Sequence, residues 1–221
     1  MLQRDYFLRM TEMLAAALAK IIFNKENKNF DEAEAELETA GKTIIGLDLK
    51  FIKILGVEDV VQLLKSSDMY AGKCFITAGL LNESGNISEL KGNESESINL
   101  YSKSLSLYTE ALLTNEIPEK EKYFTVVNNL ISKLSGFEFQ DEFYSRLADY
   151  YELSGQLSKA EDVLFDLLGE NPQKYFDKAV LFYKKLQLKP DKELADGNLS
   201  REEIEDSLEE VLSLRDISDS E

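Results

Sequence analysis

The sequence predicts an all-α protein: one array of antiparallel helical hairpins, about ten helices long. Three observations predict it. Apolar residues recur at 3–4 spacing along most of the 221-residue chain, the signature of helices with one buried face. No segment sustains the apolar–polar alternation of a half-buried strand. Only three prolines interrupt the chain. At 43% apolar and 30% charged, the composition is that of a chain that folds rather than one that stays disordered.

The elements follow in order. Residues 2–24 form one amphipathic helix, with Tyr6, Met10, Met13, Leu14, Ala17, Leu18 and Ile21 on its inner stripe. Asp31 is expected to cap a second helix running to Gly46, with Glu34 completing a capping box. Residues 48–67 read as two short helices divided by Gly56. Asp68 is placed to cap a helix rich in small residues that ends at Ser84–Gly85, before a loop over 85–95. Then comes a helix to Asn115 with Ile98, Tyr101, Leu105, Tyr108 and Leu112 as a core stripe. Pro118 opens the next, ended by Gly136. Helices over 138–154, 157–169 and 172–188, a short turn at 191–195 and a helix at 200–214 complete the chain. Asn171-Pro172 is a helix start signal. Residues 1–215 are expected to make one domain and 216–221 a short, acidic, frayed tail.

The strongest internal pattern spans Tyr144, Leu147, Ala148, Tyr151, Gly155, Ala160, Leu164, Leu167 and Pro172. It resembles the tetratricopeptide repeat. That family places small residues where paired helices touch most closely and large ones between neighbouring pairs. The departures are Tyr for Trp at 144, Ala for Gly at 148, an aliphatic residue at 164 and Leu for Ala at 167. Weaker copies occur at Phe176, Ala179, Val180 and Tyr183, at Ala33, Leu37 and Ala40, and at Ala78, Leu81 and Gly85. The resemblance implies a right-handed α-α superhelix with a groove lined by the first helix of each pair. Carried over, the lining is Glu142, Ser145, Asp149 and Glu152, followed by Lys174, Asp177, Leu181 and Lys184. The chain is also similar to an uncharacterised bacterial family with tetratricopeptide-like folds. The similarity rests on Arg4-Asp5-Tyr6, Arg9-Met10 and Asp196-Gly197-Asn198-Leu199-Ser200-Arg201-Glu202-Glu203.

The formal net charge is −17. Residues 191–221 hold twelve acids and three bases, a net of −9, which leaves −8 for the rest. An acidic surface disfavours nucleic acid and anionic membranes, both of which need clustered Lys and Arg. A basic protein or peptide partner remains compatible. The single cysteine, Cys74, has no internal disulfide partner, which fits a reducing cytoplasm. The apolar run Met13–Ala19 imitates a signal peptide. Asp5 and Glu12 break its basic flank, and the helical pattern continues through Ile21, Ile22 and Phe23.

Catalytic chemistry finds little support. The absence of histidine removes the common nucleophile–base pairs and the commonest metal ligand. There is no phosphate-binding glycine loop, so no cofactor is expected. Asp196-Gly197-x-Leu199-Ser200-x-x-Glu203 imitates half an EF-hand loop, but Lys192 and Leu194 would then occupy ligand positions. Ser200 and Glu203 read better as a capping box. The acids Glu202, Glu203, Asp206, Glu209 and Glu210 read as a solvated face. Cys74 reads as a buried small hydrophobe.

The expectation is therefore a non-enzymatic scaffold. It binds a basic or amphipathic segment through Glu142, Ser145, Asp149, Glu152, Asp177 and Lys184. The alternatives are a homo-oligomer paired through exposed apolar residues of the terminal helices, and an enzyme working with carboxylates, Tyr and Lys alone.

Overall fold

In a computed structural model the chain is all-α among its described residues, which are 2–218, with side chains described for 4–214. Twelve α-helices follow one another. They fall into two compact units, residues 1–137 and 138–221.

The first unit is built around α5 (Tyr70–Leu90) and α6 (Glu94–Leu113). Before them come α1 (Leu2–Glu26), α2 (Phe30–Ala40), α3 (Leu49–Ile54) and α4 (Val57–Lys65); α7 (Phe124–Leu134) follows. The small residues of α5 let its neighbours close in on nearly every side. Ala71, Cys74, Ala78 and Leu81 are all fully buried. The Ser104 hydroxyl of α6 donates to the Ala78 carbonyl at 2.7 Å. Aromatic rings from four segments fill the centre: Phe75 meets Phe7, Tyr108 and Tyr123 edge-on at 5.4, 5.1 and 4.6 Å. Such edge-to-face pairs contribute about 0.5–1.5 kcal/mol each beyond their buried area.

Several sequence expectations need correction. The small-residue helix does not stop at Ser84–Gly85; it runs to Leu90, and only residues 91–93 separate it from α6. The cause is tertiary. A Cβ on Gly85 would lie 2.5 Å from the Tyr101 ring of α6, so this glycine is a notch for an aromatic side chain rather than a helix stop. The cap on α2 is Asn29, not Asp31, and no side chain makes a capping bond there. Asp31 sits in the first turn, where its charge complements the helix dipole. Asp68 does not cap α5 either, because Met69 holds the cap position at φ 63°. Past Ala40 the helix widens into a π turn over Gly41–Ile45. Pro118 precedes a 3₁₀ turn at Lys120–Tyr123, and α7 begins only after it. On α1, Tyr6 is exposed and Phe7 takes its inner place beside Met10, Leu14 and Ile21.

Polar groups also reach the interior of this unit. Lys25 of α1 pairs with Glu83 of α5 at 2.7 Å, both largely buried. Asn86 donates to Glu83 at 2.9 Å, and its Oδ1 lies 2.8 Å from the Tyr101 hydroxyl oxygen. Lys133 of α7 closes the chain of bonds, at 2.6 Å from Glu89 and 2.7 Å from Tyr101. Lys103 is buried, and its ammonium donates at 2.6 Å to the Lys53 carbonyl at the end of α3. Burial holds its pKa below the ordinary value.

The second unit contains α8 (Asp141–Leu153), α9 (Leu157–Glu170), α10 (Pro172–Gln187), α11 (Asp191–Asp196) and α12 (Arg201–Ser218). α9 packs against α8 and α10, and α10 packs against α12. Asn171 caps α10, accepting from the Lys174 N–H, with Pro172 opening the first turn as the sequence implies. The Ser200–Glu203 capping box is present in both directions, at 2.8 and 3.1 Å. Gly197 is a second close approach: its carbonyl accepts from Ser158 N–H, and a Cβ there would meet Leu157 at 2.6 Å. The expected acidic tail begins inside α12, whose backbone is helical to Ser218. Residues 219–221 lie outside the described residues.

Candidate interaction site

The residues that the repeat pattern assigned to a groove lie on one stripe of α8, and α10 lies across from it. Four-residue and three-residue steps carry Glu142, Ser145, Asp149 and Glu152 along one helix face. Each finds a lysine. Glu142 is 2.7 Å from Lys174. Asp149 is 2.7 Å from Lys178, whose ammonium also donates to the Ser145 hydroxyl and carbonyl at 2.7 Å. Glu152 is 2.9 Å from Lys185. The hydrogen bond from Lys174 holds the Glu142 carboxyl below its usual range. The stripe is thus a zipper of opposite charges, not an unpaired acidic lining. Exposed pairs of this kind contribute about 0–1 kcal/mol each, so their main effect is to set which faces meet.

The sequence reading named Asp177 and Lys184 on α10; both are exposed and neither belongs to the zipper. It missed Lys178 and Lys185. Their spacing was the available signal: Lys174, Lys178, Leu181 and Lys185 share one helix face. Leu181 stays 55% exposed among these lysines.

A different concavity is open on the same hairpin. A cleft of about 740 Å³ is lined by Tyr144, Leu147 and Tyr151 of α8, Val163, Phe165 and Leu167 of α9, and Phe139 before them. Phe139 stacks on Phe143 at 4.2 Å, which fixes the aromatic wall. Glu138, Asp166 and Glu170 stand at its exposed edge, and no lysine or arginine lines it among the described residues. Tyr144, Leu147, Tyr151 and Leu167 were legible as repeat packing positions; that they line an open cleft was not. Phe139 and Val163 carried no sequence signal.

Beside it, Glu161, Asp162, Asp166, Glu203 and Ser207 border a shallower hollow of about 500 Å³. Burial pushes the Glu161 carboxyl up, and Tyr183 donates to it at 2.9 Å. Glu203 is held low by its capping bonds to Ser200. Among the described residues no three metal-ligating side chains converge.

The model of a family of unknown function, DUF6483, matches residues 1–216, taking in both compact units and the cleft. The chain belongs to that family. No curated protein and no solved structure matches it. Among the described residues no helix is long and apolar enough to cross a membrane. The expectation of an uncharacterised family therefore holds, and the family brings no activity with it.

Proposed function

We propose that the protein is a non-enzymatic interaction scaffold of tetratricopeptide-like type, whose α8–α9 cleft receives an amphipathic segment with basic flanks from a partner protein. The observation that carries this reading is the division of the cleft into an apolar floor and an acidic edge. Apolar side chains of the segment would gain from leaving water in the cleft, at about 25 cal/mol per Å². Lys or Arg at its flanks would meet Glu138, Asp166 and Glu170. This moves the acidic contact from Glu142, Asp149 and Glu152, whose charges are engaged by lysines, to Glu138 ahead of α8 and to Asp166 and Glu170 of α9.

Support for the tetratricopeptide-like arrangement comes from the zipper. The bonds from Lys174, Lys178 and Lys185 to α8 span 32 or 33 residues, close to the roughly 34-residue period of that repeat. The contacts of α9 with both α8 and α10 fit stacked hairpins.

The test uses a synthetic amphipathic helical peptide with lysine flanks, followed by fluorescence anisotropy. Binding is expected in the range of about 1–100 μM, weakening with salt as exposed charges are screened. Asp166→Lys with Glu170→Lys should weaken it at least about tenfold, roughly 1.4 kcal/mol. Glu142→Gln should leave it unchanged. Equal affinity for wild type and the edge variant overturns the proposal.

A further inference from the structure

Helix α1 has two faces, and only one is occupied. Phe7, Met10, Leu14 and Ile21 point inward and are buried. The opposite face carries Leu8, Ile22 and Phe23, which are 43%, 38% and 65% exposed. Between them lie Ala15, Ala16 and Ala19, also exposed. Large apolar residues gathered on one face mark an interaction surface more often than single exposed ones do.

The charges on this face indicate what covers it. Arg9 and Glu12 precede the alanines; Lys20 and Glu26 follow them. A two-fold pair requires a surface complementary to itself. Laid antiparallel with Ala16 at the axis, two copies place Glu12 opposite Lys20 and Arg9 over Phe23. Arg9 is then also within reach of Glu26. Leu8 falls beside Ile22 and Phe23 of the other copy. A parallel pairing would instead set Glu12 on Glu12 and Lys20 on Lys20. Lys20 is free to turn outward: its ammonium is 3.7 Å from Glu36 of its own chain and its side chain is 68% exposed. The alanines at the centre let the backbones approach closely.

We infer that the outer face of α1 binds the same face of a second copy, antiparallel, with Ala16 on the two-fold axis. The helices overlap from residue 6 to residue 26, a seam about 31 Å long at 1.5 Å per residue and roughly 10 Å wide. Its footprint of about 300 Å² per copy is below that of a tight complex, so the dimer is a weak one.

Sedimentation of the full chain from about 1 to about 200 μM brackets the micromolar affinity expected of so small a seam. The mass should rise from monomer to dimer over that range. Glu12→Lys should raise the dissociation constant at least about tenfold. Glu12→Lys combined with Lys20→Glu should restore it, because the pairing is reciprocal. Geometry is read separately by cysteine cross-linking. Cys74 is fully buried and its thiol is pushed up to about 12 by burial, so an introduced thiol reacts alone. Ala16→Cys should form an intermolecular disulfide. Glu12→Cys should not couple to itself, because its copies stand about 12 Å apart along the axis, beyond disulfide reach. It should couple when mixed with Lys20→Cys. A monomer at every concentration overturns the inference, and so does self-coupling of Glu12→Cys.

Discussion

Gly85 and Tyr101 share one volume at the centre of the first unit. A Cβ at 85 would sit 2.5 and 2.7 Å from the ring edge, so the ring or the helix must shift. Overpacking of this kind costs about 1–3 kcal/mol, partly offset by the roughly 1 kcal/mol that alanine gains over glycine in a helix. Gly85→Ala is therefore expected to lower stability by about 1–2 kcal/mol in urea unfolding. In a Tyr101→Leu background the same change should cost nothing or stabilise. The sequence showed a glycine after a serine, which reads as a helix end; only the position of the α6 ring reveals it as a notch. Glu89 carries a second expectation. Hydrogen bonds from Lys133 and Tyr101 hold its carboxyl below the ordinary 4.5. A lowered folded value means stability that is present above pH 4.5 and lost as the pH falls through that lower value. Wild type should exceed Glu89→Gln by about 0.5–1 kcal/mol at pH 7, the range for an exposed charged pair. The gap should shrink in thermal melts as the pH is taken progressively below 4.5.

At the scale of elements, helix existence was legible and helix boundaries less so. Periodicity located α1, the α3–α4 pair, α6, α8, α9, α10 and α12 to within a few residues, while α11 read as a short turn. Misjudged ends were those fixed by neighbours: α5 prolonged by the Tyr101 notch, and α2 drawn into a π turn. The repeat pattern identified the α8–α9 hairpin and its inner stripe. It did not reveal the lysines opposite, because cross-helix pairing depends on how α8 and α10 lie together. That pairing is testable by charge reversal. Lys178→Glu sets a carboxylate beside Asp149 and removes the bonds to Ser145. A loss on the order of 1 kcal/mol is expected, shrinking in high salt. Asp149→Lys in the same chain should restore part of it; a double variant weaker than either single one would contradict the zipper.

Across the whole molecule the two units carry separate cores, one centred on α5 and α6 and the other on α8, α9, α10 and α12. Composition and length gave no sign of this division, since no proline-rich or low-complexity linker marks it. The segment from Ser135 to Gln140 is the non-helical join. Residues 138–221, expressed alone, should keep a helical circular dichroism spectrum and melt cooperatively, because their buried side chains come from their own helices. A featureless melt would show that this core needs the remainder of the chain. The first unit holds a quieter record of its own motion. The Lys103 amine is shielded as long as α3 keeps its last turn against it. An acylating reagent in solution finds the exposed lysines at once but reaches this one only when α3 lifts. The slow incorporation of a single acyl mass at Lys103 thus becomes a clock, counting the openings of one short helix in an otherwise native protein.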